Sequence, residues 1–241
     1  MISIADSLFY ALRNVFHPRM LWLMVWPLVL ALGLWGAVAI AFWAQLALKM
    51  AGWLQAGLAY APYVGQWDLT VATLVIAKVL ILLMIVPLVQ LTALMILSIF
   101  GLPSMVAYAA ARSFPNLEQR HGGSFAGSVW NSVVALAGMV VLGLASIPLW
   151  IFPPLWPLIP VAIIGWVNQR VLRYDALAEH ADRTEMRRVV AEYRGALYLL
   201  GVILALAAFI PIVGFFVPVL LGLSFVHYLL SALKVLRETP A

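Results

Sequence analysis

Two prolines bracket a glycine in the segment 211–218, Pro-Ile-Val-Gly-Phe-Phe-Val-Pro, and this combination can build an anion site inside a membrane. Proline lacks a backbone N–H group and kinks or ends a helix. A helix that begins near the middle of a bilayer directs free N–H groups and a positive partial charge into it. Such helix ends bind sulfate, phosphate and carboxylate groups. The backbone N–H groups near Gly214, Phe215 and Phe216 are therefore predicted anion donors.

Polar side chains at the ends of apolar segments form a second group of candidates. They are Asn168, Arg170, Arg173, Ser224 and His227. The two arginines could collect anions or bind lipid head groups, and the other three could line a path for a solute. Equally, the uncharged members could make hydrogen bonds between helices, which is a common use of such residues in membranes. The prolines, likewise, could serve only as tight turns between packed helices.

Several classes of function are disfavoured by what the sequence lacks. It has no glycine-rich nucleotide loop and no nucleophile beside a base, and its four histidines are scattered. Without cysteine it can form neither disulfides nor thiolate metal sites. No catalytic residue, metal site or cofactor is predicted. The basic residues lie beside apolar segments, which is typical of membrane topology and argues against a nucleic-acid partner.

The elements that position these candidates are predicted to be membrane helices. The chain is 66% hydrophobic and only 10% charged, whereas soluble domains carry about 25% charged residues. This composition predicts an all-α integral membrane protein, a single membrane domain over 1–241, with the lipid bilayer as its surroundings. Two long transmembrane helices are predicted over 21–48 and 69–97, after an amphipathic interfacial helix over 1–18.

Two proline-bent helical hairpins complete the predicted architecture, over 125–168 and 196–236. Their return arms are predicted to begin after Pro160 and Pro218. Each arm of the second hairpin is roughly 22 Å long as a helix, less than a hydrocarbon core of about 30 Å. The hairpins are therefore predicted to be partly re-entrant. A charged helix outside the membrane is predicted between them, over 170–195.

The distribution of basic residues predicts which side of the membrane each segment faces. If the N-terminus, the 112–124 loop, the 170–195 tract and the C-terminus share one side, that side holds all of the 14 Lys and Arg residues except Lys49 and Lys78. The positive-inside rule makes this side cytoplasmic. Both termini are therefore predicted to be cytoplasmic.

Short sequence runs near both ends of the chain resemble the CysZ/etoposide-induced protein family. They are Tyr174-Asp-Ala-Leu-Ala-Glu-His-Ala181, Pro211, Pro218 and Gly222-Leu-Ser-Phe-Val-His-Tyr-Leu229, together with Leu8-Phe-Tyr-Ala-Leu-Arg13, Pro18 and Trp26-Pro-Leu28. The resemblance implies two long transmembrane helices, hairpins that penetrate only partly, and a homo-oligomer. In the bacterial branch, which it resembles most, it implies an inner-membrane permease that takes up sulfate. The segment 26–31 departs from the pattern by lacking an asparagine after its Pro-Leu pair.

Two functions are therefore expected from the sequence. The first is a permease for a small inorganic oxyanion, sulfate first, without ATP hydrolysis of its own. The alternative is a membrane scaffold or assembly factor that transports nothing, in which the prolines serve only as turns.

Overall fold

Helices are the only regular structure in the part of the chain that the computed structural model describes, residues 3–60 and 68–238. The α-helices are α1 (Ile4–Val15), α2 (Pro18–Leu58), α3 (Thr70–Ser113), α4 (Phe125–Ser146), α5 (Leu158–Asp175), α6 (Arg183–Glu192), α7 (Arg194–Ala207) and α8 (Pro211–Glu238). Two short 3₁₀ helices, Ile147–Ile151 and Pro153–Leu155, connect α4 to α5. The predicted all-α class is confirmed.

Four of the described helical segments are long and apolar enough to cross a membrane. They are Pro18–Leu58, Phe125–Ile151, Pro153–Asp175 and Ile212–Glu238. α6 and α7 form a fifth, broken candidate, since their axes differ by 72° at a one-residue break. α3 carries a further apolar segment, Thr70–Val86. The chain is thus a multi-pass membrane protein with a bent helix pair.

The return arms of the hairpins begin earlier than the sequence predicted. α5 begins at Leu158 and keeps Pro160 in its first turn, where a missing N–H group costs nothing. α8 likewise has a proline in its first turn, Pro211, and it continues through Pro218 in its interior. The prediction that a helix starts after Pro218 is wrong, because the packing of α8 against its neighbours maintains the helix across one absent hydrogen bond.

The charged tract 170–195 is divided into the end of α5, a turn, α6 and the start of α7. Asp182 begins α6 with a capping box: its carboxylate accepts from the N–H groups of Thr184 and Glu185, and the Glu185 carboxylate accepts from the Asp182 N–H group. The prediction of one charged helix over this tract is therefore wrong. A side chain that satisfies the first N–H groups favours a helix start at that point.

The chain divides into two compact units, one of residues 25–98 and the other of residues 1–24 with 99–241. The first unit holds most of α2 and the apolar segment of α3. Within it, the Trp35 indole donates to the Thr92 hydroxyl at 2.9 Å, and the Gln55 amide donates to the Thr73 hydroxyl at 3.1 Å. These two contacts pair α2 with α3 in antiparallel directions.

The second unit is built around α8, which packs against α1, α5, α6 and α7. Protein covers 56% of the apolar window of α8 but only 11% of that of α4. The amphipathic α1 buries Ser7, Ala11, Asn14 and Val15 on one face. The predicted amphipathic N-terminal helix is thus confirmed, and one face of it packs on protein.

Two glycines set the separation of α5 and α7. A Cβ atom at Gly201 would lie 2.4 Å from the Gly165 carbonyl oxygen, so the two backbones touch here. Small residues at a crossing allow such close approach. α4 packs antiparallel to α5, with Gly138 against Trp166 and Gly127 against Tyr174. α5 is therefore held between α4 and α7.

Candidate functional site

The predicted anion donors at Gly214, Phe215 and Phe216 lie in the first two turns of α8. The Gly214 N–H group donates to the Ile210 carbonyl at 2.6 Å. Phe215 and Phe216 are the fifth and sixth residues of the helix, beyond the first four N–H groups, which alone lack partners within a helix. The early start of α8 thus removes the geometric basis of this prediction.

Gly214 has a packing role that the structure makes specific. A Cβ atom there would lie 2.5 Å from the Ala208 carbonyl oxygen at the end of α7. The absence of a side chain lets the first turn of α8 fold back against α7. The glycine therefore closes the second hairpin tightly.

Ser224 and His227 lie on α8 in contact with protein rather than along an open path. Ser224 is 0% exposed, and its hydroxyl oxygen has no hydrogen-bond partner in the described part of the chain. The His227 ring stacks on Tyr10 with centroids 4.2 Å apart, and its Nδ1 atom lies 3.2 Å from the Ser7 hydroxyl. These two contacts of His227 join α1 to α8.

A shallow cavity of about 250 Å³ opens beside His227. Its charged lining residues are Asp6, Lys234 and Glu238. Two carboxylates against one ammonium group give this cavity a negative balance, which does not suit an oxyanion.

Asn168, Arg170 and Arg173 lie near the C-terminal end of α5, where all three are half-buried. The Arg170 Nε atom is buried without a hydrogen-bond partner among the described residues. Arg173 donates to the Gln169 side-chain oxygen at 3.3 Å. The Asn131 amide on α4 donates to the Arg170 carbonyl at 2.9 Å and fixes this turn of α5.

Arg194, which the sequence prediction did not include among the site residues, joins the two arginines at the start of α7. Arg170 and Arg194 both act on Arg173 as like charges. In the described residues, no carboxylate forms an ion pair with any of the three guanidinium groups. We call Arg170, Arg173 and Arg194 the arginine cluster.

A second basic group, Arg120 and Arg237, is by contrast fully paired. Glu185 accepts from Arg237 Nε at 2.9 Å, from Arg237 Nη2 at 2.9 Å and from Arg120 Nη1 at 2.7 Å. Hydrogen bonds from Arg237 and from the Asp182 N–H group, together with the positive charge of Arg237, outweigh burial and lower the pKa of Glu185. The remaining Arg237 donors reach the carbonyl groups of Glu118 and His180. These residues form what we call the ionic clasp.

Backbone hydrogen bonds reinforce the clasp. The N–H groups of residues 121–123 donate to carbonyl groups of Glu179, Ala181 and Ala178 at 2.9–3.0 Å. The 112–124 loop, the turn before α6 and the end of α8 therefore meet at one place. The sequence predicted that these three segments share one side of the membrane.

No cluster of three or more His, Asp or Glu side chains that could hold a metal ion occurs among the described residues.

A family model described as Sulfate transporter CysZ/Etoposide-induced protein 2.4 matches residues 7–218. The chain belongs to this family. The match covers most of α1, all of α2 to α7 and the first two turns of α8, so it includes the first hairpin, the first arm of the second hairpin and the arginine cluster. A search of the curated proteins finds no match, and neither does a search of the solved structures. The protein is therefore an all-helical membrane protein of the CysZ/etoposide-induced protein family.

Proposed function

We propose that the chain is an inner-membrane permease for a small oxyanion, with sulfate as the first candidate, and that it works without ATP hydrolysis of its own. Membership of the CysZ/etoposide-induced protein family over residues 7–218 is the observation that carries this proposal. Two features of the structure support it. The α6–α7 pair is bent by 72°, and broken helices line the solute sites of many transporters. The arginine cluster supplies positive charge beside that bend.

Topology and assembly form part of the same proposal. The ionic clasp, rich in charge, brings together the 112–124 loop, α6 and the end of α8. We place this side in the cytoplasm by the positive-inside rule, with both termini there. The permease assembles as a homo-oligomer, as its family implies.

Uptake of radiolabelled sulfate into liposomes that contain the purified full-length protein tests the proposal. Flux above that of empty liposomes is expected, and unlabelled sulfate in excess is expected to compete. A second set of liposomes containing heat-denatured protein controls for leak. Flux no greater than in these controls would reject the transport function.

One observation favours the alternative of a scaffold that transports nothing. Gly214 fits tightly against Ala208, as expected if the prolines and glycine of the second hairpin serve only to make a turn. A scaffold predicts a stoichiometric protein partner after gentle purification, together with no sulfate flux. Measuring sulfate flux and identifying co-purified proteins in one purified sample therefore distinguishes the two functions.

A further inference from the structure

The arginine cluster concentrates positive charge that no described carboxylate neutralises by an ion pair. Arg170 and Arg173 are three residues apart on α5, and Arg194 begins α7. Arg173 is repelled by both of the others. Like charges held together in a partly buried place raise the free energy of the fold unless an opposite charge joins them.

The nearest carboxylates in the sequence have other partners. Asp175, two residues after Arg173, accepts a hydrogen bond from the Ser128 hydroxyl on α4. Glu192, two residues before Arg194, interacts with the Tyr193 hydroxyl. In the ionic clasp, by comparison, Arg237 directs four hydrogen bonds at protein oxygens. In the described part of the chain, the arginine cluster thus lacks the carboxylate partner that Arg237 has.

The local geometry also leaves hydrogen-bond donors available. Arg170 Nε is buried without a partner among the described residues, and an unmet buried donor is costly. No side chain caps the first turn of α7, and a Cβ atom at Gly195 would meet nothing within 4 Å. Open space and uncapped N–H groups therefore lie next to Arg194 in the chain.

We propose that Arg170, Arg173 and Arg194 form a binding site for a tetrahedral oxyanion, whose oxygens accept from the guanidinium groups. Guanidinium groups match sulfate and phosphate in geometry and bind them with strong, charge-assisted hydrogen bonds. The anion is either free sulfate or the phosphate of a lipid head group, which share this chemistry. As the place where a permease loads or releases its solute, the site rests on the proposed function, but its binding can be measured separately.

The test measures binding of two probes to the purified full-length protein. The first probe is radiolabelled inorganic sulfate in equilibrium dialysis against delipidated protein in detergent. The second is phosphatidylglycerol, counted by native mass spectrometry after incubation with vesicles of phosphatidylglycerol and phosphatidylcholine. The variants are Arg170→Gln, Arg173→Gln and Arg194→Gln. The matched control is Arg187→Gln, which removes an exposed arginine from the neighbouring α6.

We expect wild-type protein and the control to bind at least one probe. Each cluster variant should bind that probe about tenfold more weakly, or worse, since it loses charge-assisted hydrogen bonds. Loss of sulfate binding identifies a free anion as the ligand, and loss of phosphatidylglycerol binding identifies a lipid head group. Binding of neither probe by wild-type protein, or equal binding by wild-type protein and all three variants, would overturn the inference.

A thermal unfolding measurement guards against variants that are merely misfolded. Because Arg173→Gln relieves like-charge repulsion, it should unfold at the same temperature as wild-type protein or higher in buffer without sulfate. The probe that wild-type protein binds, sulfate or phosphatidylglycerol, should then raise the unfolding temperature of wild-type protein but not that of the variant. A variant that gains as much from that probe as wild-type protein does would contradict the site.

Measurements of binding and of transport distinguish a failure of this site from a failure of the proposed permease function. If the cluster variants lose binding while wild-type liposomes show no sulfate flux, the site stands and the permease function is rejected. If wild-type liposomes take up sulfate and the variants bind both probes as wild-type protein does, the permease function stands and this site is rejected.

Discussion

Arg237, near the end of α8, donates two hydrogen bonds to the carboxylate of Glu185 on α6, both at 2.9 Å. The two residues are 52 positions apart in the chain. Their side chains are only 17% and 11% exposed, so the pair is largely shielded from water. This ion pair joins the last described helix to α6.

Arg237→Gln should lower the free energy of unfolding by about 3 kcal/mol, because it leaves the Glu185 carboxylate buried with less compensation. Lys234→Gln is the matched control on the same helix. Its ion pair with Glu238 is 3.7 Å long between exposed side chains, and such pairs contribute at most about 1 kcal/mol. Thermal or denaturant unfolding in a mild detergent measures both changes. Equal effects of the two substitutions would mean that the clasp does not stabilise the fold.

His180 should make the protein less stable in weak acid. Burial lowers the pKa of His180, and Arg237 and His121 lower it further, although Glu179 acts in the opposite direction. Its folded-state pKa is therefore below the unfolded value of about 6.5. The unfolded chain then binds a proton at His180 more readily than the folded chain does, so stability is lost as the pH falls below about 6.5.

Unfolding temperatures at about pH 7.5 and pH 5.5 test this expectation. His180→Gln should show a smaller drop between the two pH values than wild-type protein, whereas the exposed His17→Gln should behave like wild-type protein. Asp182 and Glu185 do not obscure the comparison, because hydrogen bonds to their carboxylates lower both pKa values and move their effect to stronger acid. An unchanged drop in His180→Gln would contradict the assignment.

Gly201→Ala should destabilise the protein by about 1–3 kcal/mol, the usual cost of forcing an extra methyl group into a packed site. Its Cβ atom would meet the Gly165 carbonyl oxygen at 2.4 Å, and a backbone atom cannot turn aside. Gly143→Ala on α4 is the control, since its Cβ atom would meet nothing within 4 Å. We expect the control to be neutral or slightly stabilising, because alanine favours a helix. A neutral Gly201→Ala would show that α5 and α7 can separate at no cost.

Gly214→Ala should lower stability while leaving the affinity for sulfate within about twofold of wild type. The reason is that its Cβ atom would meet the Ala208 carbonyl oxygen at 2.5 Å, and the Gly214 N–H group already donates to Ile210. Unfolding and equilibrium dialysis on the same preparation separate the two quantities. A large loss of affinity without a loss of stability would instead support the prediction from the sequence that the backbone at Gly214 binds the anion.

The sequence predicted the membrane class and the all-helical fold correctly, because apolar segments of this length have few other structures available to them. The predicted start of α8, after Pro218, was too late, because the local sequence does not distinguish the roles of Pro211 and Pro218. Only the packing of α8 against α1, α5, α6 and α7 distinguishes a proline that begins a helix from one inside it.

The candidate site was predictable in part. Arg170 and Arg173 were both predicted to collect anions or to bind lipid head groups. Arg194 joins them only because Gly165 and Gly201 let α5 and α7 touch, and no local pattern encodes that contact. Glu185 and Arg237 likewise come from distant parts of the chain. The spacing of charged residues in the sequence therefore cannot reveal that they pair.

The contact between Ser7 and His227 joins residues 220 positions apart. Of the described helices, α1 emerges first during synthesis, whereas α8, which packs against it, emerges last. The buried Ser7 of α1 therefore remains without its His227 neighbour through most of translation. Contacts so distant in sequence form late and slowly. The membrane surface is a suitable resting place for α1 in that interval, because its exposed Phe9, Leu12 and Phe16 can hold it there until α8 arrives.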